Sequence, residues 1–227
     1  MIIAIDGPAG AGKSTVAKIV AKKLSFLYID TGAMYRALTL RILRQSIDIK
    51  DEARIIQVAR RTKIGLINDP DGSLKVLLDG EDVSSLIRQP AIPIPVSDIA
   101  KIRGVRLIML KLQRDFAERD DCVLDGRDIG TVVFPDADKK FYLDASSGKR
   151  VRRRYEELKA LGQDVTLNEI ESDLRNRDTI DSTRQVAPLK RADDAVFLDT
   201  TNMSIEEVVG KVWKHIQSAK CKNKTKN

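Results

Sequence analysis

Lys13 and Ser14 close the stretch GPAGAGKST (7–15), where Gly7, Gly12, Lys13 and Ser14 satisfy the spacing G-x-x-x-x-G-K-[ST]. That pattern does phosphate chemistry. Glycines let the backbone curl until its N–H groups converge on one anion. The Lys13 ammonium can reach the β- and γ-phosphates of a nucleoside triphosphate, and the Ser14 hydroxyl is a hard oxygen for Mg²⁺. The expected triphosphate cradle is Gly7, Pro8, Ala9, Gly10, Ala11, Gly12, Lys13, Ser14 and Thr15, with Ser14 as metal ligand. A second stretch, CVLDGRDIGTVVFP (122–135), carries Asp125 at the end of an apolar run, a position suited to organising magnesium or water. Arg127 can grip a phosphate with two N–H groups. Asp128 only accepts hydrogen bonds when ionised, so it suits a base with an exocyclic amine; cytosine has one at N4, where uracil has an oxygen. A surface Arg127–Asp128 pair, worth little energetically, is the competing reading. Arg36, in DTGAMYR (30–36), falls in the first turns of an expected helix. A cation there opposes the helix dipole, unless a phosphate shares the site.

These groups need a frame. IIAI (2–5) reads as a buried strand leading into the glycine loop, and the helix after it, about 14–24, puts Val16, Ile19, Val20 and Leu24 on one face. Residues 26–29 read as a second strand, with Asp30, Thr31 and Gly32 at its polar end and a helix from Met34 onward. The run at 122–125 is expected beside the first strand in a parallel sheet, whose carboxyl ends face the ligand crevice. Residues 63–85 read as an antiparallel unit turning at NDPDG, and 140–144 and 195–200 as further strands. SSGKRVRRRYEEL enters an arginine-rich helix with Arg150, Arg152, Arg153 and Arg154. It is either a nucleic-acid patch or a lid bringing positive charge to a transferring phosphoryl group. Helical spacing sends the four in different directions, so Arg150 with Arg153 or Arg154 is expected to serve and Arg152 to be solvated. SIEE (204–207) is a capping box for a last helix through Val208, Val209, Val212, Trp213 and Ile216. His215, the sole histidine, sits on that helix and is read as structural or solvated.

The totals narrow the field. The chain of 227 residues, 42% hydrophobic, 32% charged and 4% aromatic, fits one domain with an aliphatic core of the parallel-sheet kind. Net charge is +7, part of it in the tail KCKNKTKN (220–227), read as a disordered end. Cys122 and Cys221 have neither metal-ligand nor disulfide-framework spacing, and the expected setting is the reducing cytoplasm. No apolar run nears the roughly 20 residues needed to span a bilayer, and MIIAIDG does not read as a signal peptide. There is no N-K-x-D guanine motif. The basic balance also permits a nucleic-acid-binding ATPase.

GPAGAGKST, DTGAMYR, DGRDIGTVVFP and TIDSTRQVAPL (179–189), in that order, resemble the bacterial cytidylate kinases, over residues 2 to about 213. The resemblance implies an α/β fold with a P-loop kinase core, a parallel sheet flanked by helices, a small antiparallel insert in the acceptor region and a helical lid. It implies one domain over 1–219, with the acceptor region at about 30–105 and the lid at about 147–178. It further implies transfer of the γ-phosphate of ATP to CMP or dCMP with Mg²⁺, by a monomer that requires no nucleic acid. Carried over residue by residue, Arg36 and Arg127 would hold the acceptor phosphate and Thr31 would lie near the nucleotide. Asp128 would take the cytosine amine, with Ser97 and Arg106 on the base's other polar edge. Asp181, with Arg177 nearby, would contact the ribose hydroxyls. Arg184 would lie near the transferred phosphate beside Arg150 and Arg154, and Asp125 would organise magnesium. RQPAIPIPVS (88–97), with three prolines, departs from the family's more polar stretch and bears on where Ser97 sits. Another P-loop kinase, for a different monophosphate or metabolite, is the runner-up.

Overall fold

In a computed structural model, the described residues are 1–69, 73–89, 93–118 and 120–223, with backbone alone at 93–95 and 218–223. The centre of the NDPDG turn (70–72), the first of the three prolines (90–92) and the end of the basic tail (224–227) lie outside them. Along the chain run β1 (Ile2–Asp6), α1 (Lys13–Leu24), β2 (Leu27–Asp30), α2 (Thr31–Arg44), α3 (Glu52–Arg61), β3 (Ile64–Asn68), β4 (Leu74–Leu78) and β5 (Glu81–Asp82). They are followed by α4 (Pro93–Lys101), α5 (Arg103–Ala117), β6 (Cys122–Gly126), a π-turn (Ile129–Val133), β7 (Lys139–Asp144), α6 (Ser147–Ala160), α7 (Leu167–Thr183), β8 (Val196–Asp199) and α8 (Ile205–Asn223).

The central sheet has the order β2-β6-β1-β7-β8 and every pairing is parallel. Its strands are short aliphatic runs that are buried through their centres: Ile3, Ala4, Ile5, Ile29, Val123 and Leu124 have no exposed surface. Such runs suit a sheet covered by helices on its faces. Each strand delivers an aspartate at its carboxyl end: Asp6, Asp30, Asp125, Asp144 and Asp199. Register sets Asp30 directly across from Asp125, and Asp6 one residue further along, across from Gly126.

α2 begins at Thr31, one turn before the expected Met34, because Asp30 caps it, accepting from Ala33 N at 2.7 Å. Thr31 and Gly32 therefore belong to the helix. The insert is a second sheet, β3-β4-β5, antiparallel throughout. Arg44 of α2 holds it in a two-pronged pair with Glu81 at 2.6 and 2.8 Å, and Arg41 pairs with Asp79. α6 and α7 pack on one another around Val151, Leu158, Ile170 and Leu174, a small core of their own that also takes in Ala9 of the glycine loop. The Ser204–Glu207 capping box forms, and α8 buries Val208, Val209, Val212 and Ile216. That helix runs through Asn223. Among the described residues no helix is long and apolar enough to cross a membrane.

Candidate active site

The glycine loop turns between β1 and α1 through left-handed backbone at Gly10 and Gly12, with φ of 76° and 87°. Gly7 cannot be replaced on steric grounds: a Cβ there would lie 1.9 Å from the Leu143 carbonyl oxygen of β7. Lys13 opens α1 with its side chain buried, and its Nζ donates to Pro8 O at 2.6 Å. Burial, then the charge of Arg127, pushes its pKa down to about 7, against the pull of Asp125, Asp6 and Asp181. Ser14 Oγ donates to Asp125 Oδ2 at 2.7 Å, and the Tyr28 hydroxyl donates to Asp125 Oδ1 at 2.8 Å. Thr31 Oγ1 donates to the Asp125 carbonyl at 2.7 Å. Burial and the neighbouring Asp30 carboxylate push the Asp125 pKa up to about 6. A hydroxyl and a carboxylate thus stand side by side at the mouth of the glycine loop.

Beyond β6 the charges form one chain. Asp128 accepts from Arg106 Nη2 through Oδ2 and from Arg184 Nη2 through Oδ1 at 3.3 Å. Arg184 Nη1 donates to Asp181 Oδ1 at 3.3 Å, and Asp181 Oδ2 accepts from Arg127 Nε at 2.8 Å. The order is Arg106–Asp128–Arg184–Asp181–Arg127, three guanidiniums to two carboxylates. Arg106, Asp128, Arg184 and Asp181 are each less than 10% exposed. Arg127 therefore pairs with Asp181 from α7, and not with its sequence neighbour Asp128. An ion network this deep gains little stability over apolar packing, and its excess positive charge favours an anion. Arg106 also lies over the Tyr35 ring, 5.9 Å from its centroid. The turn carrying Ala187 has a left-handed residue at φ 51°, which brings the Ala187 carbonyl to Arg184 Nε at 2.7 Å.

Arg36 bonds Asp30 at 3.1 Å, and Arg177 pairs with Asp173 at 3.2 Å. Burial lowers the Arg177 pKa most; Asp173 opposes this, and the like charges of Arg154, Arg127 and Arg36 lower it further. Three guanidiniums, from α2, the β6 loop and α6, thus lie within reach of Arg177 on α7. The arginines of α6 diverge as helical spacing requires. Arg150 turns inward, donating to Ala9 O at 3.1 Å and to Asp178 Oδ2 at 2.6 Å. Arg153 bonds the Thr200 hydroxyl and carbonyl at 3.0 and 2.7 Å. Arg154 pairs with Glu157 at 2.8 Å, and Arg152 is solvated, its side chain 77% exposed. Three of the four face other protein groups, which is poor geometry for a nucleic-acid patch. Ser97 lies half-buried in α4, which packs against α2 and α7. His215 stands apart from the site, on α8, edge-on to Phe141 with centroids 6.3 Å apart.

Sequence reasoning missed Asp6, Tyr28, Asn68 and Asp178. Asp6 accepts from Ile129 N at 2.9 Å and Gly130 N at 2.7 Å. The Asn68 amide pairs with both the N–H and the carbonyl of Tyr28 at 3.1 Å, extending the open edge of β2. The signal for Asp6 and Tyr28 was a polar atom inside an otherwise apolar strand; no local pattern marks the other two.

The cytidylate kinase family model matches residues 3–218. The chain is 54% identical over 215 residues to the cytidylate kinase of Caldanaerobacter subterraneus subsp. tengcongensis, covering 95% of this chain and 94% of that one. It is 51% identical over 218 residues to the cytidylate kinase of Desulforamulus reducens, covering 96% and 97%. Among solved structures, an uncharacterized protein from Eubacterium ventriosum aligns with a TM-score of 0.51 at 12% identity, over 96% of this chain and 99% of that one, a likeness of fold. Glycine cradle, strand-end carboxylates and arginine chain thus lie on a polypeptide that matches these enzymes nearly end to end: the chain belongs to the cytidylate kinase family.

Proposed function

We propose that the chain transfers the γ-phosphate of ATP to CMP or dCMP, giving ADP and CDP or dCDP. The observation that carries this reading is Asp128, a buried carboxylate held between Arg106 and Arg184 in a chain that ends on Arg127. A carboxylate has about four lone-pair positions, so with two filled by guanidiniums it can still accept the N4 amine of cytosine. Uracil would set an oxygen against it. Arg106 and Ser97 would donate to O2 and N3 on the base's other edge, and Asp181 would accept from the ribose hydroxyls beside Arg177. Thr31 would border the nucleotide, while Arg36 and Arg127 would hold its phosphate.

On the donor side, Gly7 to Thr15 would hold the ATP phosphates, with Lys13 neutralising them. Mg²⁺ fits the donor set: Ser14 Oγ and Asp125 Oδ2, 2.7 Å apart, are hard oxygens, and magnesium is held by one or two such groups plus phosphates and water. When bound, it would neutralise charge on the transferring phosphates. Arg184, Arg150 and Arg154 would complete the positive surround. Phosphoryl transfer rests on positioning and electrostatics more than on covalent chemistry by the protein, so a site without a histidine suffices. We read the enzyme as a single domain with acceptor region and lid as delimited above, acting in the cytoplasm; the free, buried Cys122 accords with a reducing compartment.

Nothing in the geometry favours the nucleic-acid ATPase or another acceptor over this reading. The test compares variants on CMP and UMP. Asp128→Asn exchanges an acceptor for an amide and is expected to reduce preference for CMP by about tenfold or more. Arg127→Ala is expected to weaken every monophosphate. Equal losses for both bases in the Asp128 variant would refute its role.

A further inference from the structure

Asp128 stands immediately before the π-turn Ile129–Val133, where an aspartate ordinarily caps the free N–H groups of the turn that follows. It does not do so. Its side chain makes no cap bond, and its oxygens go to Arg106 and Arg184 instead. The capping comes from the neighbouring strand, where Asp6 Oδ1 accepts from Ile129 N at 2.9 Å and Oδ2 from Gly130 N at 2.7 Å. Asp6 is 4% exposed and is the last residue before Gly7. Register pairs it with Gly126, two residues before Asp128. The turn sits close on the carboxylate: a Cβ on Gly130 would lie 3.5 Å from Asp6 Oδ2 and 3.1 Å from the Lys140 chain.

We infer that Asp6 is a positioning residue for base selection: by capping the turn in place of Asp128, it releases the Asp128 carboxylate to face the acceptor base. The inference rests on the acceptor site proposed above. Were Asp6 unable to accept both bonds, a buried N–H would be left without a partner, which is costly. Asp128 is adjacent in sequence and would satisfy it by swinging back onto its own turn. The base would then lose its reader, and Arg106 and Arg184 their shared anion. The damage would fall on discrimination between bases, not uniformly on turnover.

The experiment measures kcat/KM for CMP and for UMP in Asp6→Asn, Asp6→Glu, Asp128→Asn and the double variant of the two asparagine changes. Asp6→Asn keeps the shape and one acceptor; Asp6→Glu keeps the charge but displaces it, so loss of fold in one leaves the other readable. The expected result is a fall of about tenfold in the CMP:UMP ratio for either Asp6 variant, the loss of one charge-assisted hydrogen bond. Adding Asp6→Asn to Asp128→Asn should lower the ratio no further. If both bases lose equally and the ratio holds, Asp6 is merely structural and the inference is overturned. If Asp128→Asn itself leaves the ratio intact, the acceptor-site reading fails and the inference with it. If Asp128→Asn collapses the ratio and Asp6→Asn does not, the role of Asp6 alone is overturned.

Discussion

Lys13 shows the site's demands in a single side chain. Its ammonium is buried, and burial with Arg127 brings its pKa to about 7. On the proposed reading its charge meets the ATP phosphates, so in free enzyme kcat/KM for ATP should fall as pH rises through about 7. kcat should fall less, since bound phosphates restore the proton; identical pH profiles for the two constants would contradict this. The stability consequence has the opposite sign. The folded pKa lies below the ordinary 10.5, so between pH 7 and 10.5 the unfolded chain binds more protons and stability rises with pH. Asp6 and Asp125 each lie near 6, above the ordinary 3.8, so each contributes stability below 3.8 that is lost as pH rises through 6. All three groups are strained by burial at neutral pH, a cost that active sites commonly carry. Lys13→Met should therefore abolish turnover and raise the Tm of the free protein by a few degrees; a lowered Tm would count against this account.

Elements join through contacts that periodicity does not reveal. The insert sheet meets the core at Asn68, whose amide completes the open edge of β2 beside Tyr28, and Tyr28 in turn holds Asp125. Asn68→Ala should lower Tm by roughly 2–4 °C, as expected for about 1 kcal/mol in a chain this size, and should raise KM for Mg·ATP; thermal melts and initial rates check both. The strands, the glycine loop, the arginine helix and the SIEE cap were legible because apolar pattern and turn chemistry are local. α2 starts a turn before the apolar pattern predicts because the Asp30 side chain caps it, a contact that periodicity does not mark. The partners of Arg127 and Asp128 were not legible at all. Adjacent in sequence, they bond Asp181 and Arg184, 54 and 56 residues away, because β6 and α7 meet only in the folded chain. Asp6 escaped for the same reason: its ligands are backbone groups 123 and 124 residues distant.

Across the molecule, the parallel sheet gathers its aspartate-bearing ends along one edge, the glycine loop opens between β1 and α1, and α6–α7 pack on Ala9 with a core of their own. Positive charge converges from α2, the β6 loop, α6 and α7. On the proposed reading, that arrangement would bring two anionic nucleotides together and transfer little to water when the second is missing. The most direct test is ADP release from Mg·ATP by the purified protein with and without CMP. Release should be slow alone, many times faster with CMP, and matched by equimolar CDP. An equal rate in both conditions, or ADP without CDP, would contradict the assignment.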